Sequence, residues 1–190
     1  MMQSSTNHAT VSLVQQWIEQ CVIDLSLCPF ASLPYRAGNV RIVVCSKDSE
    51  SDFLALLEVE LDNLLKDANA AETTLIVGQK VLEDFLDFND FLTRAEALLA
   101  IDARDAHIQL ASFHPDYRFA GTDADDAGNY TNRAPFPIVQ WLRTESVAKA
   151  VSATDTMAIP EKNIAALKSV SSEQLRKLFP WVKPDNNQRR

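Results

Sequence analysis

Leu13, Val14, Trp17, Ile18, Cys21, Val22 and Leu25 fall on one helical face, with Gln16, Glu19, Gln20 and Asp24 opposite, so the pattern predicts a helix that ends before Pro29. Val40–Cys45 is a short apolar run of strand length. From Ser51 or a neighbour a second helix follows, turning Phe53, Leu57, Leu61, Leu64 and Leu65 inward and Glu58, Glu60 and Asp62 outward. Thr73–Val77 reads as a second strand, closed by Gly78-Gln79-Lys80. A third helix carries Phe88, Phe91, Leu92, Ala95 and Leu99 as far as Ile101. Ile108, Leu110 and Ser112 then alternate with Gln109, Ala111 and Phe113 in a third strand.

Beyond a polar segment, Pro135 and Pro137 predict the start of a helix over 137–151. A connection over 152–160, a helix over 161–169 and a last helix behind the N-cap Ser171-Ser172-Glu173 complete the pattern. Helix and strand alternate, which predicts an α/β or α+β fold with a sheet of roughly three to five strands covered by helices and a helical C-terminal extension. A ferredoxin-like split β-α-β unit and a small parallel or mixed sheet both fit. Residues 10–182 read as one globular domain between a flexible N-terminus, 1–9, and a flexible tail, 183–190. If the strands are parallel, Cys45-Ser46-Lys47, Gly78-Gln79-Lys80 and His114-Pro115-Asp116 leave the sheet at carboxyl ends, the usual edge for a ligand crevice.

Composition narrows the partners. The 190 residues carry a net charge of -8, and their lysines and arginines form no long block, which disfavours nucleic acid. A local arginine still holds a small anion, because site chemistry is short-ranged under salt screening. No apolar run reaches membrane length and the first ten residues do not read as a signal peptide. Three cysteines, Cys21, Cys28 and Cys45, are odd in number and lack paired spacing, so free thiols in a reducing cytoplasm are expected.

Chemistry concentrates in one proline-bounded stretch. His114-Pro115-Asp116-Tyr117-Arg118-Phe119 runs through four aspartates, Asp116, Asp123, Asp125 and Asp126, into Asn129-Tyr130-Thr131-Asn132-Arg133-Ala134-Pro135. Neither helix nor strand periodicity accounts for it, and long irregular connections in small domains are functional or disordered. His114 titrates near neutrality and suits general acid or base work, or it anchors a loop through a carbonyl. Asn129, Asn132 and Arg133 present directional donors to a phosphate or carboxylate; Tyr130 lies among them, and Arg36 supplies a second positive contact. The alternative is a structural loop in which asparagines shape turns and Arg133 pairs with Asp116 or Asp126.

Other signals are weaker. Cys28, placed at the end of a long helix, sees the negative end of the dipole, which raises a thiol pKa; only a new helix opening at Pro29 reverses the sign. Asp123, Asp125 and Gly128 match the start of a calcium loop, but Ala127 and Ala134 stand where oxygen ligands are needed. A magnesium site on Asp125 or Asp126 is the remaining metal reading, against a solvated acidic turn. No phosphate loop, dinucleotide fingerprint, hydrolase elbow or zincin motif is present, and no cofactor is identified.

Leu27-Cys28-Pro29-Phe30-Ala31, His114-Pro115-x-Tyr117-x-Phe119 and Asn129-Tyr130-Thr131-Asn132-Arg133-x-Pro135 together resemble a family of uncharacterised, mostly bacterial proteins classed as a domain of unknown function. The resemblance runs from about Val14 to Phe179 and implies no established activity. The residues themselves support two readings. One is an enzyme on a small anionic metabolite bearing phosphate or carboxylate, in which Arg133 and Asn132 bind the anion, His114 moves a proton, and Tyr117 and Cys28 lie beside it. The other is a non-catalytic ligand-binding or protein-interaction domain, in which the segment is a rigid loop and aromatics such as Trp141 and Trp181 make the contact. Whether His114, Asn132 and Arg133 open into one cavity or are consumed by internal pairs separates the two.

Overall fold

A sheet of four strands divides the described chain into two helical layers. The computed structural model describes residues 2–67, 71–152 and 159–182. The elements run in the order α1 (Met2–Trp17), a π-helical turn (Ile18–Ile23), α2 (Ser32–Arg36), β1 (Val40–Cys45), α3 (Glu50–Lys66), β2 (Thr73–Gly78), α4 (Phe85–Ala100), a 3-10 turn (Ile101–Ala106) and β3 (Ile108–Phe113). A second 3-10 turn (Ala127–Asn132), β4 (Ile138–Arg143), α5 (Thr144–Ser152), α6 (Ile159–Ser169) and α7 (Ser172–Leu178) follow. The predicted connection lies largely outside the described residues, as does the predicted tail.

Strand order is β1-β2-β4-β3. β1 and β2 are parallel neighbours, with Val40 opposite Thr73 and Cys45 opposite Gly78. β4 runs antiparallel to both β2 and β3, so β2-α4-β3 is a split β-α-β unit with β4 inserted in its gap. The mixed sheet and the split unit therefore both occur, and β1, β2 and β3 all point the same way.

One predicted helix is corrected. Residues 138–143 are β4, and the helix expected over 137–151 is confined to Thr144–Ser152. Ile138, Val139 and Trp141 are residues that pack well on a pleated surface, and here they have partner strands on both sides. Val139 and Trp141 face the α3/α4 layer and Ile138 faces the other, an alternation that helical spacing does not require. Trp141 is fully buried, and its indole N–H donates to the Leu57 carbonyl at 3.0 Å, tying β4 to α3. It is a core residue, not a docking aromatic.

The layer on one face contains Phe53, Leu57, Leu61 and Leu64 of α3 with Phe88, Phe91 and Ala95 of α4. The other contains Val14, Trp17, Ile18 and Cys21 with Leu167 and Phe179. Glu60 is a second correction: it is buried, not outward, and accepts two bonds from the Arg41 guanidinium at 2.8 and 3.1 Å. Local signals fix the helix starts, with Ser49 capping α3, Asp84 capping α4 and a Ser171/Gln174 capping box opening α7. At the N-terminus the chain is already helical from Met2, upstream of the Leu13 where the apolar stripe begins.

Candidate functional site

The carboxyl ends of β1, β2 and β3 do share an edge, but α1 lies across part of it. Ser46 Oγ donates to Asn7 Oδ1 at 2.6 Å, and Gln79 Nε2 donates to the buried Thr10 hydroxyl at 2.5 Å. The β4 entry closes in as well, with Gly78 N donating to the Pro137 carbonyl at 2.8 Å. The β1 and β2 ends of the edge where a ligand crevice is expected are thus engaged by the protein's own groups.

His114, at the end of β3, is fully buried. Its Nε2 lies 3.1 Å from the Leu82 carbonyl, an acceptor only, so Nε2 carries the proton. Nδ1 accepts from the Asp116 amide at 3.0 Å. The ring is packed against Phe85 and Phe88, with centroids 5.4 and 5.2 Å away. Burial pushes its pKa below the ordinary histidine value, opposed by the Leu82 carbonyl and by the Asp116 and Asp84 carboxylates. Both ring nitrogens are engaged by backbone, in bonds that suit the neutral ring.

Arg133 and Asn129 organise the stretch after it. The Arg133 guanidinium, 6% exposed, donates to the carbonyls of Tyr117 at 3.3 Å and Ala124 at 2.6 Å and lies 4.5 Å above the Tyr130 ring. Its partners are carbonyls and a π face, not the Asp116 or Asp126 carboxylate. Asn129 is fully buried and accepts at Oδ1 from the Phe119 amide and the Thr122 hydroxyl, while Nδ2 donates to the Asp123 carbonyl. Asn132 donates to the Ser112 carbonyl at 2.9 Å and accepts from Thr131. The amides and the guanidinium are directed at the chain's own backbone and at the Thr122 and Thr131 hydroxyls.

Of the remaining candidates, Tyr117 adjoins His114 and Arg133, its amide donating to the His114 carbonyl at 3.1 Å, and the others are scattered. Tyr117 packs on Phe85 and Phe119 at 5.3 and 5.0 Å, on the α4 side. Tyr130 sits edge-on to Phe179 at 5.0 Å, in the opposite layer. Trp181, the second aromatic expected at a contact, packs on Phe179 in that layer. Cys28 follows Leu27, also of that layer, and enters a turn whose Phe30 and Ala31 amides favour the thiolate; burial outweighs them and raises the thiol pKa. Arg36 is exposed in the last turn of α2, whose Tyr35 hydroxyl donates to Glu19 at 2.7 Å. Asp126 caps the 3-10 turn by accepting from Gly128 N, and among the described residues no three His, Cys, Asp or Glu side chains converge to hold a metal.

A groove is lined in part by Asp116, just beyond the carboxyl end of β3. It lies between the start of α4 and residues 116–123, has a volume of about 620 Å³, and its lining includes Phe85, Leu86, Phe119, Asp116, Arg118 and Asp123. Leu86 is 71% exposed and Phe119 39% exposed. Leu86 is absent from the residues singled out by sequence, and its signal there is an apolar residue standing off the Phe88/Phe91/Ala95 stripe of its own helix.

The model of a family described as Protein of unknown function (DUF1415) matches residues 9–177. No curated protein and no solved structure matches the chain.

Proposed function

We propose that this chain, which belongs to the DUF1415 family, is a non-catalytic protein-interaction domain whose polar loop is a rigid scaffold for an exposed apolar contact. One observation carries the reading: Arg133 and Asn129, both buried, hold the backbone of residues 117–124 by carbonyl and amide contacts, and that backbone presents Phe119 to solvent. An anion site needs donors free to turn toward a ligand. Here the guanidinium, both amides and the imidazole are already directed at carbonyls, amides and hydroxyls of the fold, and exchanging those bonds for a ligand loosens the loop. The three free cysteines and the acidic balance support a reducing cytoplasm and a partner other than nucleic acid.

Thermal melting of wild type and Arg133→Ala, with phosphorylated and carboxylated metabolites and with or without magnesium, tests this. The expected result is a much lower midpoint for the variant and no metabolite that raises the wild-type midpoint. A metabolite that stabilises the wild type by mass action but leaves the variant unmoved overturns the proposal in favour of an anionic-metabolite enzyme or binder.

A further inference from the structure

We infer that the groove between α4 and residues 116–123 docks a basic amphipathic segment of a partner protein, a deepening that rests on the interaction reading above. Leu86 and Phe119 are both exposed, both apolar, and both line this one groove, although they come from separate parts of the chain. Clustered apolar exposure of this kind marks contact surfaces, whereas single exposed leucines are ordinary. The loop wall is pre-organised: the Phe119 amide is held by Asn129 Oδ1 at 3.0 Å, and the Tyr117 and Ala124 carbonyls by Arg133. A partner therefore need not order the loop when it binds, which removes one entropic cost of association.

Charge selects the partner. Asp116 and Asp123 line the groove and are exposed; Glu83, Asp84 and Asp87, exposed next to Leu86 in the sequence, add negative charge outside the lining. The basic lining residue, Arg118, has its Nε committed to the Thr122 carbonyl at 2.7 Å. An apolar lining of Phe85, Leu86 and Phe119 with the Asp116 and Asp123 carboxylates on the loop side complements a segment carrying an aromatic or aliphatic anchor flanked by lysine or arginine. The acidic margins steer such a segment in and repel acidic ones.

A library of short random peptides displayed on phage, selected against the immobilised full chain, is the test. Enriched peptides are titrated against wild type, Leu86→Ser and the double variant Leu86→Ser, Phe119→Ser, with folding checked by circular dichroism. We expect enriched sequences to combine basic residues with an apolar anchor, to weaken about tenfold or more in the variants, and to weaken further as salt rises. The single variant alters a side chain that is mostly in solvent and stands alone if the double one misfolds. Peptides bound equally by wild type and variants remove the groove and leave the interaction reading standing. Acidic or uncharged peptides lost in the variants overturn the charge assignment. Self-association in sedimentation runs that the variants abolish gives the groove to a second copy and overturns the basic-segment inference. No enrichment on wild type sinks this inference together with the interaction reading.

Discussion

The Nε2–H of His114 donates to the carbonyl of Leu82 at 3.1 Å, and Leu82 itself sits at a φ of 59°, in the left-handed region. For a residue with a Cβ that backbone conformation costs about 1–2 kcal/mol. The connection from β2 to α4 is held in this shape by a histidine 32 residues further on, whose other nitrogen orders the Asp116 amide. His114 thus couples the β2–α4 connection to Asp116 of the groove lining through backbone bonds on opposite sides of one ring.

Replacing that ring has a calculable consequence. His114→Ala leaves the buried Leu82 carbonyl without its donor and opens a cavity against Phe85 and Phe88. We expect a loss of about 3 kcal/mol, from one orphaned buried acceptor plus a large-to-small core change. Urea denaturation measures it; a loss under about 1 kcal/mol is incompatible with an anchor role.

The same ring makes stability depend on pH. Burial lowers the folded-state pKa of His114 below the ordinary value of 6.5, so the unfolded chain takes up the proton first as pH falls. The histidine contribution is fully present above about pH 6.5 and is lost progressively as pH drops from there toward the folded-state pKa. Protonation also forces a second N–H against the Asp116 amide. Urea midpoints for wild type and His114→Gln, compared at neutral pH and in the window below, should converge or cross on acidification. Parallel loss in both proteins assigns the acid sensitivity to the carboxylates instead.

Much of this architecture was legible in the chain. Helical stripes such as Phe53/Leu57/Leu61 and the Ile108–Phe113 alternation have one dominant periodicity and formed as predicted. Ile138–Arg143 did not, because its strand identity comes from being sandwiched between β2 and β3, a long-range fact that Pro135 and Pro137 obscured. Glu60 was hidden for a related reason: a carboxylate on a helix reads as solvated until Arg41, on the strand beneath, supplies its counter-charge. At the polar segment, residue types identified where the unusual chemistry lies but not the direction each side chain takes. Histidine, asparagine and arginine serve a loop's backbone as readily as a ligand, and only the geometry around Leu82, Phe119 and Ala124 separates the two.

The Arg41/Glu60 pair should respond asymmetrically. The Glu60 side chain is 5% exposed and that of Arg41 53% exposed. Arg41→Ala strands a buried carboxylate, for an expected loss of about 3 kcal/mol. Glu60→Gln frees a guanidinium that can rehydrate, and we expect it to lose about half as much or less. A double-mutant cycle by chemical denaturation checks the order; equal losses from the two single variants would show that burial of the carboxylate is not the governing term.

Arg133 is where charge and shape part company. Lysine keeps the charge but lacks the planar fork that spans the Tyr117 and Ala124 carbonyls and covers the Tyr130 ring. Arg133→Lys should therefore behave almost as a loss of function for the loop, lowering stability by about 2 kcal/mol because buried carbonyls go unmatched. The local readout is sharper than the global one. Amide exchange at Phe119, whose N–H is held by Asn129, should speed up more in Arg133→Lys than exchange in β2, since the loop opens without the sheet. Uniform acceleration across loop and sheet would make Arg133 a general stability residue, and a loop that exchanges as in wild type would mean that charge alone, not the fork, holds residues 117–124 in place.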